Sequence, residues 1–282
     1  MIKGFIYDVF CGENASGNPC GVVMLDSWLD DAVLLQIATR LAQPVTAFVI
    51  TDDFDAVNGS VNAMDEVGIN SEAEAEADSG AYLIRWFSQT GEINLCGHGS
   101  LGAGAAIAEH WGDNVAQLRS KYGNLTVARF DQRYQIELPA WQAQYVELAE
   151  LSVNLDASPQ EVFTTRDLVV VVNSEEDVVN FVPDYSSLAD IDPYHAFIVT
   201  AQGAPDEYVL RYFAPKIGIP EDIATGSAHC SLAPYWFDRL KADTLNVRQV
   251  SSGGGAFWVT KSGSESVLLS SFVKKRAEID LF

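Results

Sequence analysis

The chain has 282 residues, of which 48% are hydrophobic and 11% aromatic, enough to fill a core in one or two domains. Its 39 acidic residues against 17 basic ones leave a net charge of −22, which argues against nucleic acid and anionic membrane as partners. No apolar stretch approaches the ~20 residues that span a bilayer, and the first residues lack the basic-then-apolar order of an export signal, so a soluble cytoplasmic protein is expected.

Residues 2–10 alternate and are rich in aromatics, which predicts a strand. Residues 12–19 read as a turn-rich loop and 20–25 as a second strand. A helix is predicted over 30–41, where Val33, Leu34, Ile37 and Leu41 repeat at helical spacing behind acidic first-turn residues, with Pro44 as a stop. Residues 46–50 read as strand. Residues 52–78 hold DDFDAV, MDEVG and SEAEAEAD with few large apolar residues, a composition that predicts an exposed, mobile insertion. Residues 81–87 return to strand. Residues 100–110 are almost all Gly, Ala, Leu and Ile, which predicts a helix buried all round and stopped at Gly112. Residues 126–130 and 134–138 resemble a hairpin.

In the second half, Ser158-Pro159-Gln160-Glu161 has the form of a capping box with proline at the first helical position. Residues 168–172, 196–200 and 208–213 read as strands. A second helix is predicted over 232–240, with Pro234 tolerable only in its first turns. Residues 245–250, 256–260 and 267–273 close the chain as strands. Strands dominate, with one apolar helix per half. The expected class is α+β, with a sheet wrapped around a helix twice. The predicted domains are 1–118 and 119–282, the last strand or two crossing back to the first.

One kind of turn occurs twice. Leu95-Cys96-Gly97-His98-Gly99-Ser100-Leu101 and Ala224-Thr225-Gly226-Ser227-Ala228-His229-Cys230 each follow a strand-like stretch and open an apolar helix. Each puts a polar or nucleophilic side chain, a glycine and unpaired N–H groups at a helix N-terminus, where the dipole is positive. The repetition points to a duplicated domain. The simplest ligand is a small carboxylate held between two facing helix ends.

The four cysteines (Cys11, Cys20, Cys96, Cys230) and four histidines (His98, His110, His195, His229) show neither a CxxC pair nor metal-ligand spacing. There is no Walker A loop and no GxGxxG between a strand and a helix. No metal and no cofactor is expected.

Three segments carry a resemblance: GNPCGVV at 17–23, RWFSQTGEINLCGHGSLGAGAAIA at 85–108 and RYFAPKIGIPEDIATGSAHCSLAPYW at 211–236. In order, and over nearly the whole chain, they resemble the PhzF-like isomerases of phenazine biosynthesis. The resemblance implies a diaminopimelate epimerase-like fold of two pseudo-symmetric domains, each a β-barrel-like sheet around a central helix, with the site between them. It implies a cofactor-independent, commonly homodimeric enzyme acting on a small carboxylate. The family's best-known activity moves a proton along a dihydro-hydroxyanthranilate skeleton. His98, Asp222 and Ser227 fall on the family's active-site positions, and Gly17, Asn18 and Pro19 match its first motif. Gly97, Gly99, Thr225 and Gly226 join them as substrate-binding candidates at the two turns.

Two positions depart from the family pattern. Val45, in Pro44-Val45-Thr46-Ala47-Phe48, stands where the family carries its acid/base glutamate, and valine exchanges no proton. Gly253-Gly254-Gly255 stands where Arg-Gly-Gly is common, so a positive charge is missing there.

The candidate residues carry alternative readings. Cys96 is either a small packed hydrophobe or a helix-end thiolate of lowered pKa that serves as base. The related epimerases carry a catalytic cysteine at this turn, and their second cysteine corresponds to Thr225. Such a Cys/Thr combination resembles a dehydratase branch of the proline-racemase relatives. His98 either donates to a carbonyl or holds a carboxylate and relays a proton. Asp222 is a turn residue or, as the resemblance implies, a proton-handling or orienting carboxylate. Ser227 can cap its helix and bind a substrate oxygen. His229 and Cys230 read as packing residues, His195 and His110 as structural. The leading reading is an isomerase-type enzyme. The alternatives are a binding protein that keeps the pocket without the chemistry, and a Cys96-dependent racemase, epimerase or dehydratase.

Overall fold

Both halves of the chain are built from the same run of strands and crossovers. The computed structural model describes residues 2–52, 79–147 and 159–282. Its contacts divide the chain into two units. The first comprises Met1–Asp8, Pro19–Ile136 and Val273–Phe282, and the second Val9–Asn18 and Glu137–Phe272. The acidic stretch expected to be an insertion lies, after Asp52, outside the described residues, as does Ser158.

In chain order the first half holds β1 (Lys3–Cys11), β2 (Asn18–Met24), α1 (Asp31–Leu41), β3 (Val45–Thr51), β4 (Ser79–Phe87), β5 (Glu92–Ile93), α2 (Gly97–His110), β6 (Val115–Ser120), β7 (Gly123–Phe130) and β8 (Arg133–Pro139). Strands β2 and β3 are parallel, with Cys20 opposite Val45. Strands β3 and β4 are antiparallel, with Ala47 opposite Trp86. β4 and β6 are parallel, and β6–β7 and β7–β8 are antiparallel. The short β5 pairs with the end of β4. A parallel pair needs a long crossover. Helix α1 supplies one between β2 and β3, and α2 the other between β4 and β6. A domain boundary after residue 118 would cut the β6–β7 ladder, where Leu118 faces Leu125 and Arg119 faces Asn124. Residues 119–136 accordingly group with the first unit.

The second half holds β9 (Gln144–Tyr145), β10 (Glu161–Thr164), β11 (Leu168–Val171), α3 (Glu175–Asn180), α4 (Tyr185–Ala189), β12 (Phe197–Gln202), β13 (Glu207–Ala214), β14 (Ile219–Asp222), α5 (His229–Leu240), β15 (Thr244–Gln249), β16 (Gly255–Ser262) and β17 (Ser266–Asp280). Here β11 and β12 are parallel, β12 and β13 antiparallel, and β13 and β15 parallel. β15–β16 and β16–β17 are antiparallel, and the short β14 pairs with the end of β13. The order β11 to β17 thus repeats β2 to β8 pair for pair, with α5 in the place of α2. The duplication suggested by the twin turns is a property of the whole topology.

Two expectations are corrected. No helix begins at residue 159. Gln160 N–H donates to the Val171 carbonyl, and Glu161–Thr164 is β10, paired with β11. Val162 and Phe163 are buried there, and the Glu161 carboxylate accepts from Tyr235 and Arg239 instead of closing a cap. The second half also has more than one helix. The short α3 and α4 carry the β11-to-β12 crossover, N-capped by the Ser174 and Asp184 side chains.

Helix α1 buries Leu34, Ile37, Ala38 and Leu41 against a cluster with Val23, Phe48 and Phe87. Helix α2 has no polar face, and Gly99 through Ile107 are all buried. It packs on β3, β6 and β7. Among the described residues no helix is long and apolar enough to cross a membrane.

Helix α5 buries His229 completely. Its Nδ1 shares a 2.7 Å hydrogen bond with the Tyr208 hydroxyl, and Nε2 has no hydrogen-bond partner among the described residues. Burial lowers its pKa from 6.5 to about 3. The unfolded chain therefore takes up this proton first as pH falls. The His229 contribution to stability is complete above pH 6.5 and is lost on the way down to about pH 3, at up to about 1.4 kcal/mol per pH unit. Urea midpoints of the wild type should fall more steeply on acidification than those of His229→Gln. Parallel curves for the two proteins would refute this account.

Candidate active site

The first turn joins β5 to α2. Cys96 is the N-cap of the 14-residue helix, in extended conformation (φ −128°, ψ 109°), and its side chain makes no cap hydrogen bond. The Ser100 amide and hydroxyl both bond to the Cys96 carbonyl, at 3.0 and 2.8 Å. The carbonyl is thus committed to the helix, and the sulfur lies 3.4 Å from His98 Nδ1. The buried Cys20 thiol approaches the His98 carbonyl at 4.0 Å. Burial pushes that thiol's pKa up, and the nearby Cys96 and Asp8 raise it further, so Cys20 stays neutral.

Val45, opposite Cys20 in the β2–β3 register, is 7% exposed. A Cβ placed on Gly99 would come within 2.9 Å of Trp86 Cδ1 and 3.3 Å of Val45 Cγ1. Gly99 therefore has a packing reason to be glycine. Gly97 has none of that kind, since a Cβ there would meet nothing within 4 Å.

The second turn follows β14. Both oxygens of Asp222 are held, Oδ1 by Asn18 Nδ2 at 2.9 Å and Oδ2 by Thr225 Oγ1 at 2.7 Å. Asn18 also donates to the Ala224 carbonyl. Gln249 braces the turn from β15: its Oε1 accepts from the Thr225 amide at 2.8 Å, and its Nε2 donates to the Asp222 carbonyl at 2.7 Å. The carboxylate is oriented by the protein. The Thr225 hydroxyl is spent on this task, while Gly226 is buried against Phe10 and Leu269.

Ser227 does not cap a helix. It lies inside a 3-10 turn, Gly226–Ala228, whose N-cap Thr225 makes no side-chain cap bond. The Ser227 hydroxyl instead accepts from Arg166 Nη2 at 3.3 Å. Gly254 (φ +72°) and Gly253 offer their carbonyls to the Gly17 and Ser16 amides, so that run serves backbone pairing.

A family model described as "Phenazine biosynthesis-like protein" matches residues 7–256. The chain belongs to this family. It is 46% identical to an uncharacterized isomerase of Vibrio cholerae, over 98% of this chain and 90% of that one. It superposes on the crystal structure of a phenazine biosynthesis PhzF family protein of Enterococcus faecalis with a TM-score of 0.84 and 29% identity, covering 100% of this chain and 99% of that one. A hydroxyproline epimerase of Agrobacterium vitis, at 7% identity and a TM-score of 0.57 over 99% of this chain and 91% of that one, shares the fold alone. The fold is thus the epimerase-like one that the motifs imply.

Within this PhzF-like chain the histidines sort by environment. His98 sits at the first turn beside Cys96. His110 stacks on Phe5 at the end of α2, with centroids 4.3 Å apart. His195 is held below the ordinary imidazole range, first by burial and then by the Arg166 charge. His229 is packing, as its motif position suggests. Among the described residues no cluster of three His, Cys, Asp or Glu could hold a metal ion. Arg166, Trp86 and Gln249 are the residues that sequence reasoning missed: Arg166 and Gln249 lie outside the three motif segments, and Trp86, inside the second, sits in an ordinary strand pattern.

Thiol reactivity should follow this geometry. Cys20 and Cys230 are buried, and burial raises the Cys230 pKa to about 12. Cys11, half-buried, donates to the Phe272 carbonyl. Iodoacetamide should label Cys96 ahead of the other three, and a bound carboxylate should slow it. Equal, slow labelling of all four by peptide mapping would return Cys96 to a packing role.

Proposed function

We propose that this protein is a cofactor-independent isomerase-type enzyme that shifts a proton on a small carboxylate metabolite. Cys96 and His98 handle the proton where the family uses its glutamate. The observation that carries this reading is the 3.4 Å approach of Cys96 Sγ to His98 Nδ1 at the start of α2. A thiol and an imidazole in contact can pass a proton between them near neutral pH, which Val45 cannot do. The positive end of a long helix favours negative charge on sulfur or on a bound carboxylate. Asp222, held by Asn18 and Thr225, serves as the orienting carboxylate of the second unit, and Ser227 as an oxygen ligand.

The test is deuterium wash-in. The protein is incubated in deuterium oxide with small carboxylic acids that carry a C–H next to a carboxylate or enol, and mass spectrometry follows gain of one deuterium. Protein-dependent wash-in on at least one acid supports the enzyme. Saturable binding of an acid without wash-in would establish the second reading, a metabolite-binding protein. That reading is favoured by the shielded, apolar setting of Val45 beside Trp86 and Gly99.

A further inference from the structure

Arg166 lies in the turn between β10 and β11, and that turn is pinned from several sides. The Thr165 amide donates to the Asp167 carbonyl at 3.0 Å, and the His195 amide to the Arg166 carbonyl at 3.0 Å. Thr165 Oγ1 and Ser231 Oγ are 2.6 Å apart. The guanidinium is held as firmly as its backbone. Nε and Nη2 each reach an oxygen of the fully buried Asp167 at 3.0 Å. Nη2 also meets the Tyr212 hydroxyl at 3.2 Å and Ser227 Oγ at 3.3 Å. The Trp141 ring lies against the guanidinium at 5.1 Å, and the Trp141 amide is tied to the Cys230 carbonyl at 2.8 Å.

A guanidinium has five N–H donors. Those on Nε and Nη2 are engaged, while the described residues give Nη1 no partner, and the side chain keeps 37% of its surface exposed. The buried Asp167 fixes the plane and leaves one edge presented outward. Ser227 accepts from Nη2, so its own hydroxyl proton is free to point away from the arginine. An outward N–H edge beside an outward O–H is a cradle for a planar oxyanion, and a guanidinium matches carboxylate oxygens in charge and geometry. Arg166 brings a cation to Ser227 from another loop.

We propose that Arg166 anchors an oxyanion subsite of the second unit, in which Nη1 and the Ser227 hydroxyl bind a substrate carboxylate. The inference rests on the reading above that the ligand is a small carboxylate.

Benzoate and fumarate serve as probes, with phenylglyoxal modification of arginines mapped by peptide mass spectrometry. In the wild type the probe should slow modification of Arg166 and leave that of Arg119 and Arg133 unchanged. Arg166→Met should weaken probe binding by about 10- to 100-fold, the worth of a charge-assisted hydrogen bond. Arg166→Lys should fall between, because a point charge lacks the planar fork. The protection experiment uses the native chain, so it decides even if the methionine variant folds poorly. If the wild type binds a probe while Arg166 is unprotected and Arg166→Met binds within about twofold, Arg166 is not the anchor and the carboxylate reading stands. If the wild type binds no carboxylate, that reading falls and this inference with it.

Discussion

Cys96→Ser and His98→Ala should each lower deuterium wash-in by about 100-fold or more, the range a positioned acid or base contributes, and both variants should stay folded. Serine keeps the size of Cys96 but is a far weaker acid than a thiol, so it cannot pass the proton at neutral pH. Stability is spared because the first turn of α2 closes through the Cys96 carbonyl and Ser100, and the sulfur takes no part in the cap. The two residues act as one pair, so the double variant should lose little more than either single one. A Cys96→Ser protein with undiminished exchange would place the base elsewhere. Val45→Glu tests the same idea from the other side. Trp86 Nε1 is buried without a hydrogen-bond partner among the described residues. It lies close to Val45, since a Cβ on Gly99 would be 3.5 Å from Trp86 Nε1 and 3.3 Å from Val45 Cγ1. A carboxylate introduced there has a donor at hand and should add to the exchange rate, whereas Val45→Gln should not.

Gly17→Ala is expected to destabilise the protein by about 2–4 kcal/mol, combining the cost of a left-handed conformation for an L-residue with that of overpacking. Gly17 has φ +76°, and a Cβ there would sit 2.4 Å from the Val9 carbonyl oxygen and 2.8 Å from the Cys11 nitrogen. Both are backbone atoms, which cannot swing aside as a side chain can. The next residue is Asn18, whose amide orients Asp222, so activity should fall together with the urea midpoint. A purely ligand-contacting glycine predicts the opposite pattern: an unchanged midpoint with weakened binding. Chemical denaturation of the two proteins separates the cases.

Elements whose signals are local are readable from their own residues. The periodicity of α1, the all-apolar α2, the alternation of β1 and the two motif turns need only their own residues to be read, and the family follows from those motifs. The expectation that Val45 stands in an acid/base position has the same local source, as one departure inside a recognisable run. Other features depend on what a segment meets. The pattern at 158–161 has the form of a helix cap, yet β10 forms there because Val162 and Phe163 find buried places in the β11 ladder, and a ladder partner outweighs a local cap. Gly17 and Gly99 read as ligand-binding glycines, while the space around them gives each a steric reason to lack a side chain. Ser227 reads as a cap that can also bind a substrate oxygen, while in the fold Arg166, far away in the chain, donates to its hydroxyl. Asp222 reads as a turn residue or as a proton-handling or orienting carboxylate, and it is Asn18 and Gln249, distant in the chain, that close around it and its turn. Hydrogen bonds and ion pairs of this kind join residues distant in sequence. Only folding brings them within the ~3 Å at which they act, so the way the candidate residues are held depends on the folded chain.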